Sequence, residues 1–383
     1  MTSLRDSIRS RFSPPQSLPV GIYQYQAPPE DPRNIRLHLR VEADGSSVLI
    51  VNASTILHLN QTATEYACHL VKNDSTVIVA DAIASRYHTS KAQAANEYTD
   101  FVERIQTLAT TSEIDPVMYL DFEREQPYSV DISAPFRLDC ALTYRLQPSE
   151  PASAAPTHRV IRELETSEWI SIFDKAWQAG IPHILLTGGE PTLREDLFEL
   201  ITHAESNGQV TGLLTRGYKL SNSDYLDALL QTGLDHLLYV FNPDDPLDWS
   251  ALENILPGDL FTTVHITVNK SNQGGLAELL QRLASQGVKS LSLSTNSEYY
   301  KDDLMKARQE AANLGLSLVW DMPVPYSSFN PFDLEFLDKG RLSGAGHAWL
   351  YVEPDGDVLP SQGINKIMGN FLSDPWAQIW KNR

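Results

Sequence analysis

Residues 187–191 read Thr-Gly-Gly-Glu-Pro and directly follow an apolar, strand-like run. Gly188 and Gly189 allow the backbone to approach a neighbouring group closely. Glu190 supplies a carboxylate that could hold an ammonium group, and Pro191 is favoured at the first position of a helix. A strand that ends in such a turn predicts a site at the carboxyl end of a parallel sheet.

Strand-like and helix-like segments alternate on both sides of this turn. Strands are predicted at 137–145, 183–188, 210–215, 236–241, 261–269, 290–295 and 316–320. Helices are predicted at 166–179, 192–206, 221–232, 247–255, 274–286 and 300–314. Strands separated by helices of this length form a parallel sheet with right-handed crossovers. Six such units predict an α/β fold, a TIM-like partial (β/α)6 barrel over residues 136–325.

The turn resembles the GGEP turn of radical SAM enzymes, which holds the amino group of S-adenosylmethionine. Residues 142–145 read LTYR, as the preceding strand of that family does, and residues 267–272 read TVNKSN, which is similar to the family's TVNRxN. The resemblance implies that S-adenosylmethionine is a candidate ligand, with a site made of Gly188, Gly189, Glu190, Pro191, Asn269 and Lys270.

The cysteines that normally accompany this turn are missing. In the family, a CxxxCxxC loop one strand earlier holds a [4Fe–4S] cluster through three thiolates. The corresponding positions here are Leu146, Glu150 and Ser153, and the whole chain contains only two cysteines, Cys68 and Cys140. We therefore expect no [4Fe–4S] cluster and no radical chemistry.

Two interpretations of the surviving turn stay open. The glycines could persist because the strand–helix turn requires them, whatever the ligand. Alternatively, the turn could still bind S-adenosylmethionine or a similar nucleotide.

The carboxyl-terminal residues 326–383 show the same kind of loss. SGAG at 343–346 and PDGDVLPS at 354–361 resemble a SPASM or twitch extension, whose CxAG and PDGDVxPC motifs carry cluster cysteines. Serine stands at both places, Ser343 and Ser361. The resemblance implies a degenerate SPASM/twitch-like extension.

The amino-terminal third is predicted to contain a flexible leader at 1–34, a small module at 35–112 and a linker at 113–135. Short alternating strands in the module are followed by helical patterns. The junction LNQTA at 59–63 resembles PqqD-like modules, also called RiPP recognition elements. Those are winged-helix domains that hold the leader of a precursor peptide by adding it as a strand. A generic helical cap and a DNA-binding winged helix are the alternatives.

The composition of the chain restricts the classes of partner that it is expected to bind. A net charge of −19 disfavours nucleic acid, because duplex binding depends on neutralising phosphates with Lys and Arg. No apolar run approaches the roughly 18 residues of a membrane span, and no secretory signal is visible, so we expect no membrane association and a cytoplasmic location. His183, His236 and His265 form no HxH or HxxxH pair, and we predict no metal site.

These features lead to two hypotheses of function. The first is a degenerate radical SAM homologue that binds a peptide or leader peptide, or an active radical SAM paralogue, as a scaffold in RiPP-type maturation. The second is a cluster-independent enzyme that uses S-adenosylmethionine for methyl or related group transfer. No catalytic residue can be assigned from the sequence.

Overall fold

The structure, a computed structural model, describes residues 18–28, 30–31, 35–52, 55–87, 89–111, 132–148, 150, 154–295, 297–319, 322–323 and 344–383. The chain separates into two compact units, residues 1–124 and 125–383. Among the described residues, no helix is both long enough and apolar enough to cross a membrane.

The first unit is an antiparallel sheet followed by helices. Its strands lie in the order β1-β2-β3-β4: β1 (Gly21–Gln26), β2 (Arg36–Val41), β3 (Ser47–Val51) and β4 (Thr55–Leu59). Three helices follow: α1 (Gln61–Val71), α2 (Thr76–Tyr87) and α3 (Lys91–Thr110). The alternating pattern predicts short strands in this module, and in the structure they pair antiparallel.

Alternate apolar residues of β2 belong to the core of this unit. Leu37 and Leu39 are buried and belong to one apolar cluster with residues of α1 and α3. Asn60 ends the strand region, since its side chain accepts the N–H of Ala63 at 3.0 Å and caps α1. This cap satisfies one of the free N–H groups at a helix start.

One part of the predicted leader is wrong. Residues 21–26 form β1, which pairs antiparallel with β2 along six residues of register. Tyr23 and Tyr25 alternate with polar residues and pack against the core cluster. The proline-rich and serine-rich flanks hid this strand pattern.

The second unit contains a ten-stranded sheet, in the order β11 (Ser317–Leu318), β10 (Ser290–Ser294), β9 (Phe261–Thr267), β8 (His236–Val240), β7 (Val210–Thr215), β6 (His183–Gly188), β5 (Arg137–Thr143), β12 (Trp349–Val352), β13 (Asp357–Leu359) and β14 (Gly369–Asn370). Six β/α pairs run in parallel, as predicted: β5 (Arg137–Thr143) with α4 (Thr166–Gln178), β6 (His183–Gly188) with α5 (Leu197–Ser206), β7 (Val210–Thr215) with α6 (Ser223–Leu230), β8 (His236–Val240) with α7 (Pro246–Ile255), β9 (Phe261–Thr267) with α8 (Leu276–Ser285) and β10 (Ser290–Ser294) with α9 (Lys301–Asn313). Among the described residues, β11 and β14 are the outer strands of this sheet.

The carboxyl-terminal region extends this sheet. After β11 (Ser317–Leu318) come β12 (Trp349–Val352), β13 (Asp357–Leu359), β14 (Gly369–Asn370) and α10 (Trp376–Lys381). β12 pairs in parallel with β5 and antiparallel with β13. The Asn370 side chain donates to the Asp355 carbonyl and to Asp357 Oδ1, both at 3.0 Å, and so fixes the PDGD turn.

The two faces of the parallel strands differ in chemistry. Alternate residues of the strands contribute to a large apolar cluster with the helices. On the opposite face of β9 and β10, His265 Nδ1 lies 3.0 Å from Ser292 Oγ, and His265 Nε2 lies 3.0 Å from Ser294 Oγ. Thr263 and Ser290 continue this ladder with a hydroxyl contact of 2.8 Å. On β9 and β10 this face is therefore polar and buried, with hydrogen bonds between its own side chains, whereas on β7 and β8 it carries the apolar Leu214 and Leu238.

A second histidine contact lies at the amino ends of β6 and β8. His183 Nε2 and His236 Nε2 are 2.7 Å apart, and both side chains are buried. Burial lowers the pKa of His183 well below its usual range and that of His236 to about 4. The pair is therefore neutral in the folded protein near pH 7.

Acid should destabilise the protein through this pair. The unfolded chain takes up protons at these histidines below about pH 6.5, whereas the folded chain binds them only at much lower pH. Stability is thus fully present above about pH 6.5 and falls as the pH drops toward 4. His236 alone accounts for about 2 kcal/mol at pH 5. Urea titrations across this pH range measure the loss.

The double variant His183→Asn with His236→Asn should show a shallower pH dependence than the wild type. His158→Asn, at an exposed histidine, serves as the control and should keep the wild-type slope. An unchanged slope in the double variant would contradict the assignment to this pair.

Candidate functional site at the carboxyl ends of the strands

The predicted turn lies at the end of β6, pressed against the end of β5. The N–H of Gly189 donates to the Thr143 carbonyl at 2.7 Å, and the N–H of Glu190 donates to the Arg145 carbonyl at 2.9 Å. A Cβ on Gly188, whose φ is +127°, would lie 2.2 Å from the Thr143 oxygen, and one on Gly189 would lie 2.2 Å from the Arg145 oxygen. No side chain fits at either position without a shift of the backbone.

Glu190 is fully buried, with 0% of its surface exposed. Its Oε1 accepts the Thr192 N–H at 3.1 Å, the Thr192 hydroxyl and the Thr215 hydroxyl at 2.6 Å. Its Oε2 accepts the Arg216 N–H at 2.9 Å. Protein donors thus engage both oxygens that the sequence analysis assigned to an ammonium group.

The residues after the turn form a short 3-10 helix, Pro191–Leu193, before α5. Pro191 is at its first position, as predicted, and the Glu190 side chain caps it. The predicted helix start at residue 192 was therefore early, because α5 begins at Leu197. The missing N–H of Pro191 costs nothing in this first turn.

Asn269 and Lys270 follow β9 at the same edge of the sheet. Asn269 Oδ1 accepts the N–H and the hydroxyl of Ser271, both at 2.8 Å, and Asn269 Nδ2 donates to the Thr267 carbonyl at 3.2 Å. The asparagine therefore shapes its own turn, whereas Lys270 is exposed. Ligand binding by the six predicted residues stays a prediction.

The positions expected for cluster cysteines hold other contacts. Leu146 packs against an apolar cluster that includes Tyr144 and Tyr351. The Glu150 side chain is 3% exposed and forms an ion pair with Arg216. Ser153 and Ser343 lie outside the described residues, and Ser361 is half-buried. Leucine cannot ligate iron, and a carboxylate is a hard donor unlike the thiolates of such clusters.

Neither cysteine of the chain lies at this edge. Cys140 is fully buried in β5 among the residues of the helix-side core, and burial raises the pKa of its thiol well above the usual range. Cys68 lies in α1 of the first unit. Within the described part of the chain, no three His, Cys, Asp or Glu side chains come together as metal ligands. At the described positions of this edge, Leu146 and Glu150 provide no thiolate.

Sequence reasoning missed two polar side chains at this edge. Arg216 directly follows β7. Opposite charges at residues 150 and 216 are present in the sequence, but only the fold brings them together. Asp248, in the first turn of α7, is buried, and burial raises its pKa to about 6. Its Oδ2 accepts the Asn242 N–H at 2.6 Å.

The first unit offers a separate candidate site for a peptide. β1 and β4 are the outer strands of its sheet, and an extended peptide can add to such an edge. A cavity of about 390 Å³ lies beside β1 and β2, against α3. Apolar Leu37 and Leu70 line it together with the carboxylates of Asp74 and Glu103.

Fold and site together define a class: a six-unit parallel β/α protein with a glycine turn at the carboxyl edge and a small antiparallel module before it. Residues 140–239 match the radical SAM superfamily. The match includes the glycine turn at 187–191 and the LTYR run at 142–145, so over these residues the chain is similar to that superfamily.

Relatives with a named activity match a larger part of the chain. The chain is 26% identical over 268 residues to the PqqA peptide cyclase of Methylocella silvestris, covering 63% of this chain and 71% of that protein. It is 25% identical over 293 residues to the PqqA peptide cyclase of Rhizobium meliloti, covering 64% and 75%.

Among solved structures, SuiB of Streptococcus suis bound to S-adenosylmethionine matches with a TM-score of 0.61 and 13% identity. The match covers 93% of this chain and 88% of SuiB. SuiB has also been solved with its precursor peptide SuiA, with a TM-score of 0.60. At this identity the match shows a SuiB-like architecture and the fold alone.

The glycine turn should be required for stability even with no ligand present. Gly189→Ala places a Cβ against a main-chain oxygen that cannot move aside, so we expect the free energy of unfolding to fall by about 3 kcal/mol or more. Gly274→Ala is the matched control, because a Cβ there meets nothing within 4 Å. Thermal and urea unfolding measure both. Equal stability of the two variants would contradict the close contact with β5.

Proposed function

We propose that this chain is a catalytically degenerate radical SAM homologue that binds a peptide and acts as a scaffold in peptide maturation. One observation carries the proposal. Cys140, the one cysteine of residues 125–383, faces the helix-side core and is fully buried. The edge that would hold a cluster therefore has no thiolate to offer.

The requirement for thiolates is chemical. Such a cluster is held through three cysteine sulfurs, and its remaining iron is the one that would engage S-adenosylmethionine. Leu146 and Glu150 supply no sulfur to the loop after β5, so the chain has no means of delivering an electron to the sulfonium at this edge.

The peptide part of the proposal rests on the first unit and on the relatives. The relatives named above act on the peptide PqqA or have been solved with a precursor peptide. The outer strands β1 and β4 offer backbone donors and acceptors for strand addition. The cavity of about 390 Å³ beside β1 has the size of a ligand pocket. On this proposal, the module holds a leader peptide, and the strand edge of the second unit receives the core peptide or an intact paralogue.

Iron analysis tests the proposal directly. After anaerobic purification and reconstitution with iron and sulfide, we expect a colourless protein with no bound iron. The absorbance between about 300 and 700 nm and the iron content per chain are the measurements, since a cubane cluster binds four irons. A PqqA peptide cyclase treated in parallel provides the positive control. A brown product with about four irons per chain would overturn the proposal.

A second candidate function is cluster-independent use of S-adenosylmethionine, for methyl or related group transfer. The observation that favours it is that the turn at residues 188–191 is present at the carboxyl edge of the sheet. Lys270, which is exposed, follows the end of β9 at the same edge. Against it stands Glu190, whose carboxylate already accepts hydrogen bonds from protein donors. We therefore rank it below the scaffold.

Calorimetry separates the two candidates. The scaffold proposal predicts no heat of binding with S-adenosylmethionine up to about millimolar concentration, which corresponds to less than about 4 kcal/mol of binding free energy. Saturable heat that is lost in Lys270→Ala would favour the enzyme. Lys289→Ala, at the start of the β10 region, is the control for a simple loss of positive charge.

A further inference from the structure

A buried ion pair stands at the sequence position of the second cluster cysteine. Glu150, with 3% of its side chain exposed, pairs with the guanidinium of Arg216, which is 29% exposed. Glu150 Oε2 also accepts the N–H of Gln147 at 2.9 Å, and the N–H of Glu150 donates to the Gln147 carbonyl at 3.0 Å. The carboxylate thus closes a small loop after β5 and joins it to β7.

Arg216 extends this contact to the glycine turn. Its own N–H donates to Glu190 Oε2 at 2.9 Å, and the hydroxyl of Thr215 beside it donates to Glu190 Oε1 at 2.6 Å. The ion pair and the hydrogen bonds therefore form one continuous network. It runs from the loop after β5, through the end of β7, to the turn after β6.

The site of the ion pair disfavours a charged carboxyl group. Burial raises the pKa of Glu150, the N–H of Gln147 and the guanidinium of Arg216 lower it, and the nearby Glu190 raises it. Glu190 itself contacts the main-chain N–H of Arg216, so the guanidinium serves Glu150. Removing that cation would leave Glu150 in a low-dielectric site with no opposite charge.

We propose that the Glu150–Arg216 ion pair takes the structural place of the missing cluster and braces the loop after β5 against the glycine turn. This inference rests on the proposed function, since an assembled cluster would need the position that Glu150 holds. The carboxyl edge is then held in shape by protein charges alone, which gives a metal-free protein a preformed binding surface.

Glu150 is more deeply buried than Arg216, so substitution of either residue should lower the stability by a different amount. This difference is the signature of the brace. Arg216→Met strands a carboxylate that is almost fully buried, and breaking a buried pair in this way is strongly destabilising. Glu150→Met leaves an arginine that is already partly in solvent and can turn outward. Replacing both with methionine removes both charges, a change that is often neutral for buried pairs.

Thermal unfolding of the full chain tests this signature. Arg216→Met should lower the Tm of the second unit by about 8 °C or more, Glu150→Met should lower it by clearly less, and the double variant should recover most of the loss. Glu150→Gln keeps the shape of the side chain and provides a further neutral variant if a methionine variant fails to fold. Arg145→Met is the control, because its ion pair with Glu163 is half exposed and its loss should change the Tm by about 2 °C or less.

Additive effects of the two methionine substitutions, or an Arg216→Met variant no less stable than Arg145→Met, would overturn the inference. Amide hydrogen exchange gives a second readout. The amides of Gln147 and Arg216 should exchange faster in Arg216→Met and at the wild-type rate in Arg145→Met. Iron content measured on the same samples tests the proposed function separately, since the Tm cycle does not depend on it.

Discussion

The close contact between the glycine turn and the end of β5 is the constraint on which the carboxyl edge depends. Main-chain N–H groups of the turn bond to carbonyls at the end of β5, and a Cβ at Gly188 or Gly189 would stand 2.2 Å from those oxygens. This contact needs no ligand and no metal. Packing is therefore a sufficient reason for both glycines, whether or not a ligand binds beside them.

Much of this architecture could be predicted from the sequence. The six β/α pairs and most of their boundaries follow from apolar runs, helical periodicity and glycines after helix ends, because these signals are local. β1 was missed, since its alternation at Ile22 to Tyr25 is short and lies in a proline-rich region. The insertion of β12 beside β5 depends on a pairing between residues about 200 positions apart, and no local pattern specifies such a pairing.

The candidate site was predicted less completely than the fold. The motif located the turn correctly at the end of β6, but it could not show that protein donors engage Glu190 or that Asn269 is used by its own turn. Whether a polar atom is free to bind a ligand depends on the neighbours that other strands place beside it. Arg216 illustrates the point, because it follows β7 in sequence and yet contacts residues that follow β5 and β6.

The ion pair of Glu150 and Arg216 lies at the carboxyl edge, whereas the core is formed by the helix-side residues of the strands. A carboxylate buried after β5 would be costly alone. It is tolerated because Arg216 supplies the opposite charge from a neighbouring strand end. The two side chains therefore make sense only as a pair, and a cysteine at residue 150 would leave the guanidinium of Arg216 without its carboxylate.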